Sequence, residues 1–325
     1  MKLASLKNGQ RDGVLVVVDR KLATCVRVPQ IALTLQQAIE VWSTTASKLQ
    51  AVYEQLNAGN VAGSEAFAPE RAESPLPRAY QFLDGSVYLS HMRKARKARG
   101  ADMPPNFETD PLMYQAVSDS FIGPVDDMPF PTDDLGVDME AEVAVILDDV
   151  PMGVTPDQAG NHIKLVMLLN DYTLRSLTKL ELPKGFGFLQ AKPTSGFSPV
   201  AVTLDELPQW DGEKLNLQLI SSVNGKRIGA PHAGRDMYFN YPQLIAHAAR
   251  TRKLSAGTIL GAGTVANKDE AAGSSCIAEA RANEEIEHGK PSTPFLKFGD
   301  RVRIEMLDEA GQTIFGAIDQ RIIKG

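Results

Sequence analysis

Residues 137–143 have the sequence VDMEAEV, in which acidic and apolar residues alternate. Alternate side chains of a β-strand share one face, so the pattern predicts Asp138, Glu140 and Glu142 on the same face. Glu140 and Glu142 are then about 7 Å apart along the strand. If that face is enclosed, the like charges need protons or a cation, and a hard divalent cation with oxygen ligands suits them. The pattern also fits a strand whose acidic face is solvated.

Two further segments carry residues that could take part in chemistry. Residues 166–172, VMLLNDY, are predicted as an apolar helix that runs into Asp171, which is either a turn-former or a ligand. Residues 84–91, DGSVYLSH, place His91 shortly after a turn-like Asp-Gly pair. A histidine can act as a general base near neutral pH, but this segment alone favours an ordinary surface histidine.

A glycine-rich and aromatic loop, GFGFLQAK at residues 185–192, ends at Lys192. A lysine in a crowded site can donate a proton or stabilise an anion, and otherwise it is an ordinary surface residue. None of these segments is specific alone, so their order along the chain carries the interpretation.

The composition excludes several classes of protein. The chain has 325 residues, 43% of them hydrophobic and 23% charged, and a net charge of −6. The basic stretch 93–99 is short and there is no zinc-finger spacing, so nucleic acid is not an expected partner. Cys25 and Cys276 stand in no disulfide or metal motif. The first ten residues lack the apolar core of a signal peptide and no stretch suits a membrane span, so we expect a cytoplasmic protein without membrane contact.

The pattern of predicted elements indicates a strand-rich α+β chain. Strands are predicted at 13–19, 137–147, 215–220, 302–306 and 313–315, and helices at 34–56, 156–168 and 241–250. Few crossover helices separate the strands, which argues against a doubly wound sheet. A stretch rich in Gly, Ala, Ser and Pro at 58–77 is predicted as a linker. It divides the chain into a small N-terminal α+β domain, residues 1–77, and a catalytic body, residues 78–325.

Taken together, these motifs resemble the fumarylacetoacetate hydrolase superfamily over most of residues 80–321. The resemblance rests on VDMEAE at 137–142, LNDYTLR at 169–175, Lys192 followed by Ser198-Pro199, Gly263-Thr264-Val265, and the Asp84 to His91 spacing. The N-terminal unit and Leu112-Met113-Tyr114 resemble the fumarylacetoacetase branch. The resemblance implies a β-rich α+β fold, with a mixed β-sandwich or roll as the catalytic body.

The resemblance also implies a metal-dependent active site. Four carboxylates would hold a divalent cation, Mg²⁺ first with Ca²⁺ or Mn²⁺ as alternatives: Asp84, Glu140, Glu142 and Asp171. The base corresponds to His91, and Glu279 is its orienting carboxylate, with Glu284 and Glu285 as neighbouring alternatives. By the same resemblance, Lys192 and Arg175 would stabilise the oxyanion. Tyr114, Thr264 and Arg99 would bind the substrate.

The implied activity is hydrolysis of a carbon–carbon bond in a small dicarbonyl acid, foremost fumarylacetoacetate of tyrosine catabolism, by a homodimer. Ser86, Thr178 and Leu182 depart from the family pattern, which has Tyr, Gln and Tyr there, so the substrate is the open question. Alternatives on the same scaffold are an oxo-acid decarboxylase or isomerase and an acylpyruvate hydrolase. A metal-binding module without activity is a further alternative. Segments 93–103 and 185–190 are candidates for a closing loop.

Overall fold

A computed structural model of the chain describes residues 1–97, 102–103 and 105–325. Its strands are β1 Lys2–Leu6, β2 Val14–Val18, β3 Thr24–Arg27, β4 Glu65–Ala66, β5 Phe82–Gly85, β6 Met113–Ala116, β7 Met128–Phe130, β8 Val137–Asp138, β9 Ala141–Leu147, β10 Ile163–Asn170, β11 Thr173–Leu174, β12 Gly196–Phe197, β13 Ala201–Val202, β14 Ile220–Val223, β15 Lys226–Gly229, β16 Ile259–Gly261, β17 Arg301–Glu305 and β18 Ile318–Lys324. Its helices are α1 Leu35–Glu40, α2 Trp42–Asn57, α3 Leu89–Lys97, α4 Pro156–Ala159, α5 Arg175–Glu181, α6 Tyr241–Ala248 and α7 Ile277–His288. Among these described helices, none has the length and apolar character needed to cross a membrane.

One large sheet organises the molecule. Its strand order is β4-β3-β2-β1-β13-β10-β9-β16-β5-β6, with β12 also paired to β10. A second sheet has the order β15-β14-β17-β18-β7, and β8 pairs with β11 in a short ribbon. The α+β, strand-rich fold predicted from the sequence is confirmed.

The antiparallel pair β9 and β10 forms the centre of the large sheet. Every residue of β9 is buried, and in β10 only Lys164 is partly exposed. Strands covered on both faces carry continuous apolar runs instead of an alternating pattern. The predicted helix at 156–168 is therefore wrong beyond α4, because an apolar run of this kind suits a buried strand as well as a buried helix.

The N-terminal strands continue the large sheet, because β1 pairs with β13 as well as with β2. One apolar cluster contains side chains from both parts of the chain, such as Leu3 and Leu35 with Met167 and Phe197. The predicted linker, residues 58–77, contains β4 and packs on the first strand. The boundary at residue 77 stays a prediction.

Turn chemistry explains the hairpin between β14 and β15. Asn224 and Gly225 both have positive φ, 51° and 76°, as a two-residue hairpin turn requires. The predicted helix at 34–56 is present as two helices, α1 and α2, and the side chain of Thr34 caps α1. The strand predicted at 313–315 is absent from the described residues, and β18 is the last strand instead.

Candidate active site

Three carboxylates converge where neighbouring strands of the large sheet end. Asp84 lies on β5, Glu142 on β9 and Asp171 directly after β10. Antiparallel pairing opposes Glu142 to Leu169, which brings the end of β10 beside it. One carboxylate oxygen from each of the three lies within 4.8 Å of the others. Long-range pairing has thus brought together residues that are far apart in the sequence.

Two glycines shape the space around Asp84. A Cβ atom at Gly261, on the neighbouring strand β16, would collide with the carboxylate of Asp84, so a larger residue does not fit there. Gly263 has a φ of +86° and donates its backbone N–H to Asp84 Oδ1 at 3.1 Å. The backbone N–H of Gly263 therefore helps to fix the Asp84 carboxylate, and the missing side chain at Gly261 leaves room for it.

The three carboxylates repel one another in an enclosed place. Glu142 is fully buried, and neither of its oxygens has a hydrogen-bond partner within the part of the chain that the structure describes. Burial, together with the charges of Asp84 and Asp171, raises the pKa of Glu142 well above its usual range. Burial and Asp171 raise the pKa of Asp84 to about 8. Unpartnered carboxylate oxygens of this kind fit a hard divalent cation such as Mg²⁺, Ca²⁺ or Mn²⁺.

Lys192 connects the fourth acidic residue, Glu140, to this carboxylate cluster. Its Nζ donates to Glu140 Oε2 at 2.5 Å and also to Asp171 Oδ2. Burial alone would raise the pKa of Glu140, but Lys192 and Arg175 outweigh it and hold that pKa well below its usual range. Glu140 is therefore ionised and paired with cations, whereas Glu142 lacks such a partner among the described side chains.

Two more groups fix the orientation of Asp171. Tyr114 donates its hydroxyl to Asp171 Oδ2 at 2.5 Å, and Ser195 donates to Oδ1 at 3.1 Å. Tyr114 was predicted as a substrate contact, which stays a prediction, and the structure places its hydroxyl on Asp171. Ser195 was missed by the sequence analysis, because no recognised spacing links it to Asp171.

His91 and Glu279 form a hydrogen-bonded pair between α3 and α7. His91 Nδ1 lies 2.8 Å from Glu279 Oε2, and Lys94 donates to Glu279 Oε1 at 3.2 Å. Of the two neighbouring alternatives, Glu284 accepts hydrogen bonds from Ser292 and Thr293 instead. Lys94 was also missed, although its i+3 spacing from His91 on a helix could have indicated a shared face.

A buried ion-pair network holds Arg175. Its Nε donates to Asp138 Oδ2 at 2.8 Å, and its Nη2 donates to Glu140 Oε1 at 2.6 Å. Burial would lower the pKa of Arg175, but Glu140 and Asp138 reverse the effect and raise it well above its usual range. The guanidinium therefore keeps its charge in a largely enclosed position.

Many of these groups line one cavity of about 710 Å³, whereas Asp171 and Glu279 lie behind its wall. Its lining includes Asp84, Glu140, Glu142, His91, Arg175, Lys192, Tyr114 and Thr264, and all three departures from the family pattern, Ser86, Thr178 and Leu182. Arg99, predicted to contact the substrate carboxylate, lies outside the described residues. The same holds for part of the candidate closing segment 93–103.

The sequence was compared with models of known protein families. Residues 81–323 match the family described as fumarylacetoacetate (FAA) hydrolase C-terminal. Residues 1–78 match the fumarylacetoacetase N-terminal domain 2. The two matches together cover nearly the whole chain.

Individual relatives are more distant. A 2,4-didehydro-3-deoxy-L-rhamnonate hydrolase from Sphingomonas sp. is 28% identical over 159 residues, which is 48% of this chain and 53% of that protein. The aligned region thus spans about half the length of that curated relative. Among solved structures, the fumarylacetoacetate hydrolase of Exiguobacterium antarcticum has a TM-score of 0.68 at 19% identity over the full length of both chains. A maleylpyruvate hydrolase of Sphingobium sp., solved with manganese(II) and pyruvate, has a TM-score of 0.67 at 17% identity, also over both full chains.

Proposed function

The chain belongs to the fumarylacetoacetate hydrolase family, and from this premise we propose that it is a metal-dependent hydrolase that cleaves a carbon–carbon bond in a dicarbonyl acid. The observation that carries the proposal is Glu142, which is fully buried beside Asp84 and has no hydrogen-bond partner among the described residues, in the cavity that His91 also lines. Fumarylacetoacetate, giving fumarate and acetoacetate, is the first substrate to test. The cytoplasmic homodimer expected from the sequence stays a prediction.

The residues that would hold the cation are Asp84, Glu142 and Asp171, with Glu140 as the fourth. Their oxygens suit Mg²⁺, and the manganese in the maleylpyruvate hydrolase structure makes Mn²⁺ the first alternative. When bound, the cation would supply Lewis-acid polarisation of the substrate carbonyls. Lys192 bridges Glu140 and Asp171 and also lines the cavity, where it can contact the substrate.

His91 is placed to act as the base. Its Nδ1 is held by Glu279, which leaves Nε2 to accept a proton from water while the hydroxide oxygen bonds to the carbonyl carbon. The charges of Arg175 and Lys192 favour the oxyanion that forms at that carbon. The carbon–carbon bond then breaks, the acyl side leaves as a carboxylic acid, and a proton from His91 or Lys192 returns to the departing carbon.

A second candidate keeps this machinery and changes the substrate to a shorter acylpyruvate. The observation that raises it is the cavity lining, because Ser86, Thr178 and Leu182 differ from the family pattern at the wall of the cavity and so leave the substrate open. The maleylpyruvate hydrolase among the structural neighbours has an acylpyruvate substrate by its name. Decarboxylation or isomerisation of an oxo-acid is a third outcome of the same assay.

The test is an assay with Mg²⁺ and fumarylacetoacetate that follows the loss of substrate absorbance, with a parallel series of acylpyruvates and oxaloacetate. Glu142→Gln removes one charge from the carboxylate cluster and should abolish both turnover and the rise in melting temperature on adding Mg²⁺. Glu206→Gln is the matched control, because Glu206 is a partly buried carboxylate paired with Arg20 and Tyr53 outside the cavity. Turnover that survives chelation of metal and the Glu142→Gln change would refute metal dependence.

A further inference from the structure

Asp138 is a fully buried carboxylate next to the proposed machinery, but no step of the proposed reaction uses it. The cavity wall formed by the described residues includes Glu140, Arg175 and Ala278, and Asp138 is not part of it. An ionised group taken out of water is costly unless it is paired and hydrogen-bonded. The groups that contact Asp138 therefore indicate its role.

Three hydrogen-bond donors converge on this carboxylate. Oδ1 accepts the backbone N–H of Ile277 at 2.8 Å, and Oδ2 accepts that of Ala278 at 2.9 Å. Oδ2 also accepts from Arg175 Nε at 2.8 Å, and Arg175 Nη2 lies 2.7 Å away as an ion-pair contact. Asp138 thus joins two elements, the first turn of α7 and the first residue of α5.

Each of these elements carries one half of the proposed active site. Ile277 and Ala278 are the first two residues of α7, and the next residue is Glu279, which holds His91. The first N–H groups of a helix lack partners inside the helix, so a carboxylate that accepts two of them fixes where the helix begins. The rotation of this turn sets the direction in which Glu279 points.

The other half is Arg175, whose positive charge would stabilise the oxyanion. Strand pairing opposes Asp138 to Thr173, and Arg175 follows two residues later. Asp138 and Glu140 bind the guanidinium from two directions, which fixes its plane because the donors of arginine form a rigid fork. One side chain thus determines the position of Arg175 and the position of α7 together.

We propose that Asp138 is a positioning residue that fixes the His91–Glu279 pair and Arg175 relative to each other. The proposal rests on the proposed function for its kinetic consequence, but its structural part concerns His91 in the protein without substrate. Losing a group that orients catalytic residues typically costs about 10- to 100-fold in activity. The loss should appear in kcat, with KM changing much less, because Asp138 does not line the cavity.

The experiment uses full-length protein, loaded with Mg²⁺ and labelled with ¹⁵N-histidine. The chain has five histidines, so His91 can be assigned from the signal that a His91→Asn variant loses. Asp138→Asn keeps the shape of the side chain but turns an NH₂ group toward at least one of the three donors. We expect the ring-nitrogen signals of His91 to move as its tautomer is no longer held, and kcat to fall by about 10- to 100-fold.

Glu284→Gln is the matched control, because Glu284 is also a carboxylate on α7 with several hydrogen bonds, from Ser292 and Thr293. It should leave the His91 signals and kcat unchanged, even if it lowers the melting temperature. Should Asp138→Asn not fold, Asp138→Glu, which keeps the charge, replaces it with the same expected results.

The proposal is overturned if a folded Asp138 variant has wild-type His91 signals, or if both variants fail to fold, since Asp138 is then purely structural. Absence of turnover in the wild type on every dicarbonyl acid would instead contradict the proposed function. In that case the His91 signals still decide the role of Asp138, because they need no substrate.

Discussion

At the scale of single residues, the site is defined by which charges have partners. Glu140 is paired with Arg175 and Lys192, whereas Glu142 is buried beside Asp84 and Asp171 with no partner in the described structure. Like charges that cannot reach water take up protons or bind a cation. The contrast between Glu140 and Glu142, only two positions apart, is the observation on which the proposed cation site rests.

Replacing His91 by Asn should lower kcat by about 10²- to 10⁴-fold, the usual contribution of a general base. The rise in melting temperature on adding Mg²⁺ should persist, because the carboxylate cluster is intact. His162→Asn is the matched control, since His162 also pairs with a carboxylate, Asp148, at 2.7 Å but outside the cavity. Steady-state kinetics and thermal melts measure both effects, and wild-type turnover by His91→Asn would show that another group activates water.

The pKa of Asp84 predicts how the stability of the metal-free protein changes with pH. It is raised from 3.8 to about 8 by burial and by Asp171, so the folded state holds a proton that the unfolded chain has lost. Stability therefore falls as pH rises from 3.8 to about 8. Melts across this window should show a shallower fall for Asp84→Asn than for the wild type, and Mg²⁺ should flatten the wild-type curve. Parallel curves of melting temperature against pH for the two metal-free proteins would contradict the raised pKa of Asp84.

At the scale of elements, α5 and the loop after it form one wall of the cavity. Glu181, the last residue of α5, is buried and accepts the backbone N–H groups of Leu189, Gln190 and Ala191 at 3.1, 2.8 and 3.1 Å. The loop between them exposes Phe186 almost completely. The carboxylate of Glu181 therefore joins the two ends of the loop and fixes the backbone just before Lys192.

Glu181→Ala should lower the free energy of unfolding by about 1 kcal/mol for each hydrogen bond lost, and should open the base of the loop. Trypsin should then cleave faster after the exposed Lys184, and KM should rise because the loop lines the cavity. Glu206→Gln again serves as the control. A cleavage rate equal to that of the wild type would show that the loop is held by other contacts.

At the scale of the whole molecule, the two parts of the chain share one sheet and one apolar cluster. The pairing of Lys2 with Val202 and of Leu3 with Ala201 places the N-terminal strands next to the central strands. Removing them would expose the edge of β13 and the apolar residues that pack on the N-terminal unit, such as Met167. An uncovered strand edge of this kind favours aggregation.

Residues 78–325 expressed alone should therefore be poorly soluble and lack a cooperative melting transition. The full chain should unfold in one transition, because its core is continuous. Light scattering and circular dichroism on both proteins measure this. A soluble fragment 78–325 with a cooperative melt would instead support an independent catalytic body.

The sequence by itself determined the strand-rich class and several local elements, and it predicted most residues of the candidate site. Alternation in residues 137–143 and the Asn224-Gly225 pair are local signals, because side-chain periodicity and positive φ depend on only a few neighbouring residues. The spacing of Asp84 and His91 together with the other motifs identified the family, which the family models confirm. These inferences needed no knowledge of which strands are neighbours.

Only the tertiary structure decided which of these residues meet. Residues 163–168 form a strand instead of the predicted helix, because pairing with β9 and burial on both faces decide between two states that an apolar run allows equally. The choice of Glu279 over Glu284, and the contacts of Asp138 with α7, depend on packing between segments more than a hundred residues apart. Which strands become neighbours, and which residues their packing buries, are properties of the assembled chain and not of any one segment.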